Sequence, residues 1–205
     1  MKKNIDKEYF SQGFNKIVGV DEAGRGPLCG PVVTAAVSLT GEIKGLRDSK
    51  KLSVKKREEL LPLIINNSIW SVYSVLPHII DRMNILGATL WGMKRVINRI
   101  IKKTGEETLV LIDGNKITFS FKNEKAVVGG DGKSESIAAA SVLAKTHRDK
   151  IMKRWAYIYP EYGIEKHKGY PTEHHYNMLE KYGSTPIHRK SFRLSKKPFQ
   201  ETIFS

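Results

Sequence analysis

The chain has 205 residues, with 35 Lys plus Arg against 21 Asp plus Glu and a formal net charge of +14 at pH 7. Hydrophobic residues make up 40%, enough for one core, which excludes a wholly disordered chain; the single cysteine, Cys29, excludes a disulfide framework and a cysteine-rich zinc module and suggests a reducing compartment. No apolar run approaches the ~20 residues that cross a bilayer, and the basic start MKKNIDKEYFSQ lacks the apolar stretch of a signal peptide, so a cytoplasmic protein with no membrane partner is expected.

Ile17–Val20 is a short apolar run ending at Asp21-Glu22 and the turn-forming AGRGP, and Val32–Leu39 is rich in β-branched residues; they read as two strands joined through a glycine loop. Gly45–Leu52 reads as a polar loop, and Ser53 as the N-cap of a helix reaching about Asn66. Ile69–Leu76 alternates as a strand, and from Asn84 to about Lys103 apolar residues recur at helical spacing. Leu109–Ile112 is continuously apolar, as for a strand buried on both faces, and ends at Asp113-Gly114-Asn115. Ile117–Phe121 and Ala126–Val128 suggest a short strand pair. Ser134 or Ser136 opens an alanine-rich helix to about Trp155. The chain reads as loop from Pro160 to Thr172; a short helix Glu173–Lys181 ends at Gly183, and a basic, aperiodic tail follows. Interspersed strands and helices predict an α/β unit with a mixed sheet.

A positive surplus of this size favours a polyanionic partner, nucleic acid first, because each neutralised phosphate releases counterions. An anionic membrane would want a basic amphipathic helix, and a merely basic composition needs no partner at all. Four acidic residues do not look like surface charge. Asp21 and Glu22 end an apolar strand, Asp113 ends another, and Asp131 sits in GGDG before the alanine-rich helix. Each alone could be a turn residue or a cap. Neighbours on a strand face opposite ways, so Asp21 and Glu22 share an ion only where the strand ends or bulges. Gathering several carboxylates costs several kcal/mol unless a cation relieves them, and hard oxygen ligands suit Mg²⁺ or Mn²⁺. A basic surface around an acidic pocket is what a metal-dependent nuclease requires.

The strings IVGVDEAGRGPLCGPVV (17–33), RDSKKLS (47–53), NILGATLWGM (84–93), LIDGN (111–115), GGDGKSESIAAASVLAKTHRD (129–149), HKGYPT (167–172) and HRKSF (188–192) resemble ribonuclease HII, the prokaryotic type 2 ribonuclease H, in order and almost end to end. The resemblance implies a ribonuclease H-like fold: an α/β mixed five-stranded sheet flanked by helices with a helical C-terminal extension. Its division would be a lead-in at 1–16, a catalytic domain at 17–155 and an extension at 156–205 packed on it. It also implies endonucleolytic cleavage of RNA–DNA hybrids and, in duplex DNA containing ribonucleotides, on the 5′ side of the embedded ribonucleotide, leaving 3′-hydroxyl and 5′-phosphate ends. The family's acidic metal positions fall on Asp21, Glu22, Asp113 and Asp131, with Asp149 in reserve. Gly24, Arg25 and Gly26 match the loop whose main chain recognises the ribose 2′-hydroxyl. Tyr170 matches the ring that packs on the following nucleotide. Lys50, Lys51, Lys145, His188 and Arg189 fall in family motifs as candidate phosphate contacts; Ser134 and Ser136 read as caps of the alanine-rich helix, either facing a phosphate or with no ligand at all.

Thr146-His147 and Pro171 depart from the family pattern; neither touches an acidic position. The short lead-in lacks the platform domain of the sister ribonuclease HIII. His167, His174 and His175 invite a zinc site, against which the harder carboxylate set weighs. The expected mechanism is hydrolysis by water with two cations, one held chiefly by Asp21 and Asp113, the other near Glu22 and Asp131. A monomer suffices for this. Two other readings stand beside it. A transposase- or resolvase-like nuclease would be indifferent to the 2′-hydroxyl; a non-catalytic nucleic-acid binder would gain from losing the four acids.

Overall fold

The computed structural model describes residues 4–46 and 52–195. Lys50, Lys51 and the last ten residues lie outside that range. Among the described residues no helix is long and apolar enough to cross a membrane. The sheet has five strands in the order β3-β2-β1-β4-β5: β1 (Lys16–Ala23), β2 (Val32–Leu39), β3 (Ser68–Val75), β4 (Thr108–Asp113) and β5 (Glu124–Val127). β1, β2 and β3 pair antiparallel, while β4 and β5 run parallel to β1, so the sheet is mixed as expected.

Side-chain alternation sorts β1 and β4 onto two faces. Val18, Val20, Val110 and Ile112 pack against Met93, Val96, Ile97 and Ile100 of α3 (Pro77–Thr104). Ile17, Leu109 and Leu111 pack with Ile137 of α4 (Glu135–Ile158) on the other face. That double burial is why β4 is apolar throughout. α4 lies so close to β1 that a Cβ on Gly19 would overlap the Ser136 and Ile137 backbone. The alanines of α4, Ala138, Ala139, Ala140 and Ala144, join the core with Val33, Ala35, Val37 and with Leu60 and Ile64 of α2 (Val54–Asn66). Ser53 caps α2, its side chain accepting the Lys56 N–H at 3.2 Å.

Three expectations need correction. α3 begins at Pro77, not Asn84, and Asn84 (φ 58°, ψ 170°) is a kink inside it. The Asn84 side chain accepts the Gly87 N–H at 3.0 Å, so the residue starts a fresh helical segment, which is the signal the sequence carried. Of the strand pair after β4 only β5 forms. The Glu124 carboxylate gathers the N–H groups of Thr118, Phe119 and Ser120 at 2.7–3.1 Å, holding that segment as a loop. The stretch after Pro160 carries a 3₁₀ turn (Pro160–Tyr162) and a single-turn α5 (Ile164–His167) before α6 (Glu173–Tyr182), capped by Thr172.

The C-terminal helices pack on the β1–β2 loop: Leu28 and Cys29 share a core with Met152, Tyr162, Ile164, Leu179 and Ile187. At the other end α1 (Ile5–Ser11) places buried Asp6 under α4, where its Oδ2 accepts the Ser136 N–H at 2.9 Å.

Candidate active site

Val20 and Ile112 are register partners in the parallel β1–β4 pair. Asp21 and Asp113, one residue further, therefore stand at adjacent strand ends, on the face that α4 covers. Asp131 joins from a third segment, in the 3₁₀ turn Gly130–Gly132 that leads into α4. The Gly130 N–H donates to Asp113 Oδ1 at 2.7 Å, tying that turn to the end of β4. A Cβ on Gly130 would stand 2.5 Å from Ile137 Cδ1 and 3.2 Å from Asp113 Oδ1, so a glycine lets the turn sit close against both. Asp21 is 1% exposed and Asp131 8%. Asp21 Oδ1 accepts the Glu22 N–H at 2.7 Å.

Glu22 arrives differently. β1 stays in register with β2 through Ala23↔Val33 without a bulge, so the pleat alone sets Glu22 opposite Asp21. β4 ends at Asp113, however, and the β4-side edge of β1 is open beyond it. Glu22 lines a cleft of about 270 Å³ with Ala23, Gly24, Arg57, Ser141, Lys145, Arg148 and Tyr170. Arg25 Nη1 stands 3.5 Å from Glu22 Oε1. Asp21, Glu22, Asp113 and Asp131 offer oxygen donors only, from three segments that meet at this end of the sheet. That set fits a hard divalent cation.

The loop after β1 turns its carbonyls inward. Arg189 is 0% exposed and its guanidinium donates to three of them: Nε to Gly30 O (2.9 Å), Nη1 to Arg25 O (2.9 Å) and Nη2 to Gly24 O (2.6 Å). Arg148, also buried, donates to Pro31 O at 3.1 Å and Cys29 O at 3.2 Å. Gly24 (φ +97°) lies against the Arg148 side chain, so position 24 admits neither another conformation nor another side chain. A Cβ on Gly26 would meet Tyr170 Cε1 at 3.5 Å, so the gap between the loop and the 45%-exposed Tyr170 is about one methyl group wide. The candidate sugar-reading residues thus stand together.

His188 and Arg189 are not surface cations awaiting phosphate. His188 is 2% exposed, and its Nδ1 accepts the Thr185 N–H at 3.0 Å, which leaves its Nε2 protonated. Nε2 donates to His175 Nε2 at 3.1 Å, and His175 Nδ1 then donates to the Tyr170 carbonyl at 3.0 Å. Burial pulls both imidazoles down to about 4, so the pair is neutral near pH 7. Cys29, His175 and His188 bring ligand atoms within 4.8 Å of one another. Yet Thr185 fixes His188 Nε2 as a donor to His175, so the ring nitrogens of both imidazoles are already taken up in hydrogen bonds. This cluster is a hydrogen-bond relay rather than a zinc site. His167 stacks on His175 (centroids 4.6 Å apart) and is likewise occupied, by Tyr162 O and the Gly169 N–H.

Among the other expected residues, the Ser134 hydroxyl caps α4 by accepting the Ile137 N–H at 3.1 Å, and Ser136 is buried with its N–H on Asp6. Both therefore serve the helix end itself. Lys145 lines the cleft and pairs with Asp149 at 2.8 Å, so Asp149 partners a base. Sequence reasoning missed Arg57 and Arg148. Arg57 lies in the charged run KKRE, which reads as solvated helix face, but α2 turns it into the cleft beside Asp149, 4.0 Å away.

The model of the family described as Ribonuclease HII matches residues 18–195. The chain is 47% identical over 193 residues to the ribonuclease HII of Endomicrobium trichonymphae, covering 92% of this chain and 90% of that one. It is 48% identical over 180 residues to that of Francisella tularensis subsp. novicida, covering 86% and 96%. The crystal structure of the ribonuclease H2 from Pyrococcus horikoshii superposes with a TM-score of 0.71 at 27% identity, over 88% of this chain and 95% of that one. With the acids of β1, β4 and the α4 turn drawn to one sheet end beside a glycine loop, the chain belongs to the ribonuclease HII family.

Proposed function

We propose that this protein, a divalent-metal-dependent ribonuclease H endonuclease acting on RNA in RNA–DNA hybrids, also nicks duplex DNA on the 5′ side of an embedded ribonucleotide and leaves 3′-hydroxyl and 5′-phosphate ends. The observation that carries the reading is the adjacency of Asp21 and Asp113 at neighbouring strand ends, with the Asp131 turn bonded to Asp113 and the Gly24–Gly26 loop facing Tyr170. Asp21 and Asp113 would hold one cation, Glu22 and Asp131 the second. Mg²⁺ or Mn²⁺ held there would supply an activated water and would offset charge on the leaving 3′-oxygen. The main chain of Gly24, Arg25 and Gly26 meets the ribose 2′-hydroxyl, the group that separates RNA from DNA. Tyr170 packs on the next nucleotide, and Lys145 takes a phosphate. The catalytic domain spans 17–155, the described part of the extension (156–195) packs on it, and the protein works as a cytoplasmic monomer.

The test is a DNA duplex with a single ribonucleotide, incubated with Mg²⁺, with Mn²⁺ and with neither, and the ends mapped. One metal-dependent nick 5′ of the ribonucleotide is expected. Asp113→Asn is expected to slow it at least about a hundredfold, since even outer partners of a metal site are worth ~10–100-fold. Equal cutting of the all-deoxy duplex, or a rate within a few-fold of the parent in Asp113→Asn, overturns the reading.

A further inference from the structure

Resting on that reading of the Gly24–Gly26 loop, we infer that Arg189 is a specificity-positioning residue, and that with its neighbour His188 it suspends both halves of the sugar reader from one dipeptide. Across a trans peptide the carbonyl of one residue and the N–H of the next point opposite ways. Arg189 draws the carbonyls of Gly24 and Arg25 inward, at 2.6 and 2.9 Å. The N–H groups of Arg25 and Gly26 are thereby turned away from the interior, and neither donates a hydrogen bond among the described residues. They are the donors left to meet a hydroxyl. The third bond, to Gly30 O, and the Arg189 N–H on Leu28 O at 2.9 Å anchor the far side of the same loop.

His188 does the matching work for Tyr170. Its Nε2–H reaches His175, whose Nδ1–H holds the Tyr170 carbonyl, and the Leu28 N–H closes the circuit on Gly169 O at 2.8 Å. Loop and ring are thus held so that one added methyl group on Gly26 would fill the gap to Tyr170. Arg189 never touches substrate. A planar fork with fixed donor directions can serve three carbonyls at once, which the single ammonium of lysine cannot.

The test uses the full chain with Ca²⁺ in place of Mg²⁺ to suppress cleavage, and measures binding to an all-deoxy duplex and to the same duplex carrying one ribonucleotide. The ratio of the two Kd values is the readout. Arg189→Lys is expected to lower the ratio about tenfold, the weight of one well-placed hydrogen bond, while affinity for the all-deoxy duplex holds. His188→Asn, which keeps an acceptor for the Thr185 N–H and loses the link to His175, lowers it in the same direction and decides the matter should Arg189→Lys fail to fold. A role in stability alone would lower the melting temperature and leave the ratio intact. A parental ratio kept by folded variants overturns the inference; a ratio of one in the parent itself overturns instead the ribose reading on which it rests.

Discussion

Asp6 makes the most demanding stability test, because nothing local marks it as important. It lies on α1 and its Oδ2 accepts the Ser136 N–H at 2.9 Å, across 130 residues of sequence, in a buried setting. Its charge sits at the N-terminus of α4, where the helix dipole favours an anion by ~0.3–2 kcal/mol, and a hydrogen bond to a charged group adds ~1.5–3 kcal/mol. Against this, Asp6 Oδ1 is buried without a hydrogen bond among the described residues, which consumes part of the gain. The net loss expected for Asp6→Ala is ~2 kcal/mol, with the Ser136 N–H left orphaned; Asp6→Asn, which retains an acceptor, loses ~1 kcal/mol. For a chain of this size that is a fall in Tm of about 4–8 °C and 2–4 °C. Because the Ile5 N–H also bonds Lys133 O at 3.0 Å, beside the turn that carries Asp131, both variants are expected to need more Mg²⁺ for half-maximal cleavage. Thermal melts and a Mg²⁺ titration read the two effects. A Tm for Asp6→Ala within about 1 °C of the parent refutes the argument, as does an asparagine that costs as much as the alanine.

Gly19→Ala places a methyl against the Ser136 and Ile137 backbone, which cannot step aside as a side chain can; a loss at or above the ~1–3 kcal/mol of ordinary overpacking is expected in urea melts, with activity falling further as α4 lifts from β1. The His175–His188 pair gives stability a pH dependence. Both groups titrate near 4 when folded and ~6.5 when unfolded, so their contribution is complete above pH ~6.5 and is lost as the pH falls towards 4, and His188→Gln flattens that limb of a melt-versus-pH curve. At the α3 kink, Asn84→Ala loses both the bond to the Gly87 N–H and a residue type that tolerates φ 58°, costing ~1–3 kcal/mol; Asn84→Gly keeps the conformation and costs less, as calorimetry of the two variants will show.

What the sequence disclosed and what it hid follow physical lines. β4 announced itself because a strand covered on both sides must be apolar, and Ser53 and Thr172 were legible because caps act within one helical turn. Asp21 and Asp113 stood out as charges at the ends of apolar runs, although that parallel pairing makes them neighbours is a property of topology. His188 and Arg189 were misread for the same reason. Polar residues in a basic tail look solvated until the fold supplies carbonyls for them to hold. The helix ahead of Asn84 was missed because the kink breaks its periodicity, and Glu124 turned an apparent strand into a loop by collecting its N–H groups, a contest no window of residues displays.

With Asp21, Asp113 and Asp131 as the proposed cation ligands, the meeting of β1 with β4 also sets when this molecule becomes dangerous to its substrate. Asp21 emerges early in synthesis and Asp113 and Asp131 much later, and only completed pairing with α4 docked brings them to a common edge. A nascent or partly melted chain holds scattered acids and no tool, so cutting power is gained and surrendered together with the architecture.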